Sequence, residues 1–466
     1  MNNVLAKDLQ QISQLLHEAL NEGVDYLSKI DTIPTSVPRV ERQTTSLEEL
    51  GYGGQLALID FIDRYREIMV ASTGPRYWGF VTGGATPAAL MGDLLATIYD
   101  QNTQTDNGHG DISAIIEFET IQLLLDLFGL PKNYLGGFVT GATMSNFTCL
   151  GVGRQWLGKK LGLDIAKQGM SVPLHVLSAT PHSSSIKSLS MLGIGSQQIT
   201  KIKTIDETRE AIDVADLEEK ILALNGTPFI LITSAGTVNT VDYDDFKAIA
   251  SLKEKYDFWW HIDAAFGAFA VLSPDHAHLL NGWDQADSIT VDGHKWLNVP
   301  YENAFFFIKE KHKMLQVETF QNSNAPYLGD PLDNFNYLNF LPENSRRLKA
   351  LSAWFSLKAY GRKGYEEIVC RNIKQAQSLG AFIEASNYFE LLAPIRLNTA
   401  CFTLKGVDDL AKINNFLSRL NDTGKVFMTP TSFRGKAGIR AALVNWRTTD
   451  EDVILVQDLM VKAATV

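Results

Sequence analysis

Five short apolar runs through the middle of this 466-residue chain constrain its fold more than any other feature. They are PLHVLSA (173–179), PFILITSAG (228–236), FWWHIDA (258–264), SITVDG (288–293) and AFFFIK (304–309). Each is rich in β-branched or aromatic residues, and each reads as a buried strand. Helical spacing fills intervals between them, over 214–224 and 244–255. Strand–helix alternation of this kind predicts an α/β fold: a mostly parallel sheet covered by helices on both faces. Ligands in such sheets gather at the carboxyl ends of the strands.

The flanks read differently. Leu5, Leu9, Ile12, Leu16, Leu20, Val24 and Leu27 recur at helical spacing, and DTIPTSVPRV (31–40) ends that pattern with two prolines. An apolar helix face leaving the domain this early needs a surface to cover it, either its own chain or a second copy. Residues 1–85 are therefore expected to form a helical arm and dimerisation segment, 86–352 a large domain, and 353–466 a smaller C-terminal α+β domain. Residues 320–344 are rich in Asn, Asp, Pro and aromatics without periodicity, which predicts a functional loop. Helices are expected at 345–360 and 365–386, and Thr448 with Glu451 has capping-box spacing for the last one.

Composition narrows the function. A net charge of −11 argues against nucleic-acid or anionic-membrane partners. No apolar run reaches membrane-spanning length, and the N terminus lacks a secretory pattern. Three widely spaced cysteines, Cys149, Cys370 and Cys401, form neither a disulfide framework nor a zinc site. A cytoplasmic enzyme or binding protein is expected. GRQWLGKK (153–160) has the spacing of a nucleotide phosphate loop, but Lys160 replaces the required hydroxyl residue and the segment reads as helix. His276 and His278 lack further metal ligands nearby, and no metal is expected.

The stretch SITVDGHKWLNVPY (288–301) places His294 and Lys295 just past a strand. An amine in an apolar site, or near other cations, stays partly neutral and attacks aldehydes, so Lys295 is a candidate Schiff-base lysine. Asp263 ends the strand before it, and Ala264 and Ala265 leave room for a flat ring. A carboxylate beside a pyridine nitrogen holds that nitrogen protonated, which is the electron sink of pyridoxal phosphate. GGFVTGATMSNFTCL (136–150) reads as strand, tight turn and helix start, so Gly141, Ala142 and Thr143 are candidates for a phosphate cradle. His182, in SATPHSSSIKSL (178–189), sits where an imidazole can stack on the ring face opposite Ala265. Singly, each of these features is more often a surface lysine, a turn cap or an ordinary helix start.

Taken together, GPRYWGFVTGGATPAALMGDLLATIYDQN (74–102), the phosphate turn, PHSS, SAGTVNTVDYDD, HIDAAFGAF, DSITVDGHKWLNVPYENA and SRRLKALSAWFSLKAYGRKGY resemble the group II pyridoxal-phosphate-dependent amino acid decarboxylases. The resemblance covers about 75–452 and implies the aspartate aminotransferase fold, fold type I. It implies decarboxylation of an L-amino acid by a homodimer with shared active sites. By the same resemblance Lys295 carries the cofactor, Asp263 meets the ring nitrogen and Ala265 lies under the ring. His182 stacks on it, Ala142 and Thr143 hold phosphate, and His294 flanks the lysine. Tyr337, nine residues before Arg346, falls where the family places a mobile-loop proton donor, and Tyr327 lies in the same loop. The chain departs from several members at Asp292, where they carry Asn or Ser. It departs again at 81–84, VTGG, where aromatic decarboxylases carry an aromatic and a proline. The accepted side chain stays open, with Arg347 and Arg440 as candidate carboxylate partners. A carbon–carbon lyase, an aminotransferase and a non-catalytic cofactor-binding sensor are the competing readings.

Overall fold

The computed structural model describes residues 1–465 apart from 43, 107, 109 and 322–334. Seven strands form the large sheet: β1 (Tyr134–Val139), β2 (Val176–Ser178), β3 (Ile199–Lys201), β4 (Phe229–Ser234), β5 (Phe258–Asp263), β6 (Ser288–Asp292) and β7 (Ala304–Lys309). Their spatial order is β1-β7-β6-β5-β4-β2-β3. β7 runs against both of its neighbours, and the pairings among β6, β5, β4, β2 and β3 are parallel. The apolar runs are continuous because both faces are covered. Phe305 and Phe307 of β7 pack into the core on one side, and Ala304, Phe306 and Ile308 into the core on the other.

A second sheet, of strands β8 (Phe389–Leu391), β9 (Thr399–Leu404), β10 (Thr429–Phe433) and β11 (Lys436–Ala442), is antiparallel in the order β10-β11-β9-β8. It has its own core, with Phe402, Phe416 and Ile439 at its centre. Trp78 belongs to that core, and Tyr77 bridges to Phe427, so this early segment docks on the small sheet. The two helices expected at 345–386 form one run, Ala350–Ala385, broken at Gly361, whose φ of 58° takes it out of the helix. The run crosses position 352, so the two lobes share a helix there.

Two expectations shift in detail. The capping box uses Thr449 and Asp452, one residue later than the spacing suggested. Thr448 is instead buried, its hydroxyl donating to the Pro75 carbonyl. The N-terminal pattern forms two helices, Asn3–Gln10 and Ile12–Ser28, not one. Leu5, Leu9, Ile12, Leu16, Leu20 and Val24 are all about half exposed, so their own chain leaves that stripe uncovered.

Away from the strand ends that form the site, the amino end of β6 is pinned by charge. Asp287, 2% exposed, lies 2.5 Å from Lys253 Nζ, 2.8 Å from His312 Nε2 and 3.3 Å from Lys311 Nζ. It also accepts the Trp260 amide. Burial alone would raise its carboxyl pKa, but the His312 hydrogen bond and the two lysines outweigh burial and hold it well below the usual range. A depressed carboxyl stabilises the fold fully above its unfolded-state value of about 4, and that stability is lost as pH falls through the lower folded-state value. Asp287→Ala leaves half-buried Lys253 without its carboxylate and the buried His312 and Trp260 N–H groups without their acceptor, and should cost about 3 kcal/mol in urea unfolding at neutral pH. The gap to wild type should narrow as the medium is made strongly acidic.

Candidate active site

Strand register brings the chemistry together. Ser234 pairs with Asp263, Asp263 with Thr290, and Ala304 with both Asp292 and Val139. The carboxyl ends of β1, β4, β5 and β6 thus form one edge. A cavity of about 570 Å³ opens there, lined by His182, Asp263, Ala265, His294, Lys295 and Arg440 among others. A larger cavity, about 740 Å³, lies against the small lobe, lined by Arg76, Glu367, Arg371 and Asp452. Arg76 pairs there with Asp452 and Arg371 with Glu367, and no lysine, histidine or cysteine among the described residues lines it, so the reactive groups belong to the first cavity.

Lys295 projects from the turn after β6, with its amine 2.8 Å from Asp292 Oδ2 and 5.7 Å from the centre of the Phe266 ring. Asp292 Oδ1 accepts the Ala142 amide at 2.7 Å. That amide opens the helix Ala142–Lys160, so the residue at the family's departure point already holds one of the helix's free N–H groups. Gly141 and Thr143 remain for an anion. A Cβ on Gly141 would fall 3.6 Å from His294 Cε1, so its absence keeps the space between helix start and imidazole open. His294 Nδ1 donates to the Asn303 carbonyl at 2.9 Å, which directs Nε2 the other way. Burial lowers the His294 pKa.

Asp263 is buried and accepts from Asn146 Nδ2 at 3.0 Å, Ser185 Oγ at 3.2 Å and the Ala265 amide at 3.3 Å. Burial would raise its pKa, but His182, Lys295 and the Asn146 hydrogen bond prevail and hold it below the ordinary carboxylate range. His182 caps the helix Ser183–Met191. Its Nδ1 accepts the Ser184 amide at 3.2 Å, so the ring proton sits on Nε2. Burial is the main reason its pKa is lowered, which keeps the ring neutral.

Other expected residues fall elsewhere. Tyr337 does not line this cavity: it is 1% exposed, donates to the Gly136 carbonyl at 3.2 Å, and packs against Phe118, Phe335 and Arg346. A hydroxyl consumed inside a core cannot serve as a mobile proton donor, which corrects the expectation for this residue. Tyr327 lies outside the described residues. Arg347 pairs with Asp93 at 2.9 Å and also bonds Thr97, a structural role. Arg440 does reach the cavity. Its guanidinium donates only to the carbonyls of Val238 and Phe80, and it has no carboxylate partner among the described residues.

The VTGG departure acquires a reason. A Cβ on Gly83 would sit 1.7 Å from the Lys295 carbonyl oxygen, so the backbone there passes against the lysine turn. The residues leading into it, Phe80 (φ 64°) and Val81 (φ 144°), are strained, and both line the cavity. Sequence reasoning passed over Asn146, His261, Glu210, Thr237 and Tyr301. The first opens an N-x-T pattern that reads as a surface glycosylation acceptor, yet it is fully buried. His261 carried a usable signal, since it lies two residues before Asp263 and so on the same face of β5.

A half-buried amine and a buried carboxylate in one cavity, beside a helix start on the carboxyl edge of a parallel sheet, are the groups a pyridoxal-phosphate site of fold type I requires. The residues present fit that group: an amine for its aldehyde, an acid for its ring nitrogen, and an open cradle for its phosphate. Residues 62–405 match the model of the family described as the pyridoxal-dependent decarboxylase conserved domain. The chain belongs to that family, and is a pyridoxal-phosphate-dependent amino acid carboxy-lyase. An aromatic-L-amino-acid decarboxylase of Bacillus atrophaeus is 28% identical, over 97% of this chain and 95% of the relative. One from Catharanthus roseus is 25% identical, over 83% and 79%. Among solved structures, Oryza sativa TDC with PLP and tryptamine superposes with a TM-score of 0.88 at 20% identity, covering 98% of both chains. Mouse CSAD gives 0.85, also at 20% identity, covering 98% of this chain and 99% of the other. At such identities these two structures bear on the fold. No helix among the described residues is long and apolar enough to cross a membrane.

Proposed function

We propose that this enzyme decarboxylates an L-amino acid with an aromatic side chain, with Lys295 as the lysine that carries the cofactor. The observation that carries the reading is one cavity holding Lys295, Asp263 and an arginine without a carboxylate partner. Pyridoxal phosphate, when bound, supplies a sink for the electron pair left as CO₂ departs. Asp263 keeps the ring nitrogen protonated. His182 covers one ring face and Ala265 the other. Gly141 and Thr143 would hold the phosphate, and Asp292 orients the Ala142 amide and the Lys295 amine. Arg440 would meet the substrate carboxylate and orient it. The proton returned to Cα would come from His182, whose Nε2–H is set by its tautomer, since His294 spends its one ring proton on the Asn303 carbonyl.

The apolar wall of Phe80, Val81, Pro181, Val238 and Phe266 suits a flat side chain. The aromatic, tyrosine and tryptophan decarboxylases among the relatives support the same choice. The uncovered N-terminal stripe supports a homodimer. The three free cysteines support a reducing compartment, the cytoplasm. The test measures CO₂ release from aromatic, acidic and aliphatic L-amino acids by the cofactor-loaded enzyme. At least one aromatic substrate should exceed every other class by about tenfold or more in kcat/KM, the discrimination an apolar pocket supplies. A loaded enzyme inert toward every aromatic amino acid would sink the assignment.

A further inference from the structure

We infer that Asn146 is a positioning residue: a one-way chain of hydrogen bonds from Trp259, through Ser288 and His261, ends on Asn146 and holds Asp263 as an anion. The inference rests on the reading that Asp263 meets the ring nitrogen. The chain lies on one side of the sheet. Trp259, His261 and Asp263 are alternate residues of β5 and share a face, and the helix Ala142–Lys160 carries Asn146 against that face. Close approach of the helix depends on Gly153, where a Cβ would fall 2.8 Å from Trp259 Cδ1.

Valence fixes the direction. An indole N–H only donates, so Trp259 Nε1 gives its proton to Ser288 Oγ at 3.1 Å. Ser288 Oγ lies 2.9 Å from His261 Nδ1 and spends its own proton there. His261 is then neutral and protonated on Nε2, which donates to Asn146 Oδ1 at 2.8 Å. With its oxygen engaged, Asn146 turns its amide hydrogens to Asp263 Oδ2 at 3.0 Å and Ser184 Oγ at 3.1 Å. The far end demands the same sense, because an ionised carboxylate only accepts. Reversing any link would aim the Asn146 oxygen at Asp263. Burial pushes the His261 pKa down to about 4, so the ring stays neutral in working conditions.

Every member is buried, so no water substitutes for a missing link. The ionisable groups facing Asp263 are His182 from the loop after β2, His261 on its own strand, Lys295 after β6 and Cys149 of the helix. Two of these reach Asp263 through Asn146: His261 directly, and His182 by way of Ser184, whose Oγ lies 2.7 Å from His182 Nδ1. Removing the Asn146 donor makes Asp263 a stronger base. With cofactor bound, Asp263 would keep more of the proton it shares with the ring nitrogen, and the Lys295 nitrogen would hold its own proton to higher pH.

Two measurements decide this. In the cofactor-free protein, ¹⁵N shifts of the His261 ring should show Nε2 protonated and Nδ1 bare, with no titration near the ordinary histidine value of about 6.5. In the loaded enzyme, Asn146→Ala should raise the midpoint of the pH-dependent colour change by about one unit, the equivalent of one hydrogen bond. Its kcat should fall by about tenfold with KM within about threefold. Ser288→Ala, a smaller change two links away, should move the midpoint the same way by less. A His261 ring protonated on Nδ1, or unmoved midpoints in variants that still carry cofactor on Lys295, would overturn the inference. Absence of cofactor on Lys295 even in wild type would instead refute the reading of the site, and the His261 tautomer would still decide whether the chain exists.

Discussion

Replacing Lys295 with alanine is expected to lower kcat/KM by on the order of 10³-fold or more, about 4 kcal/mol of transition-state stabilisation. It should also abolish the borohydride-stable phosphopyridoxyl adduct on the peptide 288–301. Two effects are combined in that variant, and a second substitution separates them. Lys295 is the cation that balances Asp292, which is 2% exposed and whose other oxygen is held by the Ala142 amide. Alanine removes the nucleophile and also leaves Asp292 without its charge partner, so some loss of stability accompanies the loss of chemistry. Lys295→Arg retains a positive charge beside Asp292, but a guanidinium stays protonated and does not condense with an aldehyde. It should unfold in urea within about 1 kcal/mol of wild type, provided the longer side chain fits, and be as inactive as the alanine variant. Spectra of both proteins with added pyridoxal phosphate, beside CO₂ release, read the two effects apart. An arginine variant that still turns over would remove Lys295 from the chemistry.

How much of this was legible in the sequence depends on the range of the interaction concerned. The sheet was legible because strands buried on both faces leave uninterrupted apolar runs. β7 was read to the residue, and β5 and β6 to within one. β3, three residues of ITK with two of them exposed, leaves no such trace. The site groups at strand ends were legible for a related reason: in a parallel sheet, a polar residue that terminates an apolar run lies on the functional edge. Asp263 and Asp292 end β5 and β6 in this way, and Lys295 follows three residues later.

What failed depended on contacts between distant segments. Tyr337 was placed by counting back from Arg346, but counting does not say which way a ring points. Its surroundings, Phe118 from one helix and Gly136 from β1, pull it into a core. Arg440 and Arg347 were indistinguishable as letters. The pairing of β11 with β9 and β10 sets one over the cavity, while Asp93 claims the other. Thr448 lost its capping role to a buried bond with Pro75, more than 370 residues away in the chain.

Asp263→Ala is expected to reduce kcat by about 10² to 10³-fold, or about 3 to 4 kcal/mol, while KM changes little. The asymmetry follows from where the carboxylate acts. In the proposed site it would touch neither the substrate carboxylate nor its side chain, so ground-state binding should survive. What would be lost is the acid that keeps the cofactor's ring nitrogen protonated, a contribution that matters only as the transition state forms. The variant also strands the Asn146 and Ser185 donors in a buried site, a cost of about 2 kcal/mol in the cofactor-free protein. Asp263→Glu should recover part of kcat by keeping a charge near the ring, although the added methylene displaces it from Asn146.

The pH dependence supplies an independent check on the same residue. The wild-type carboxyl is held below its ordinary value, so its contribution to stability is complete above about 4 and drains away as pH falls through the lower folded-state value. Alanine has nothing to protonate there. Its unfolding free energy should therefore fall less steeply than wild type on the acid side, and the two curves should converge. Parallel curves, or an unchanged kcat in a folded and cofactor-loaded Asp263→Ala enzyme, would show that the ring nitrogen is met by some other group, and that the row of strand ends positions the cofactor differently.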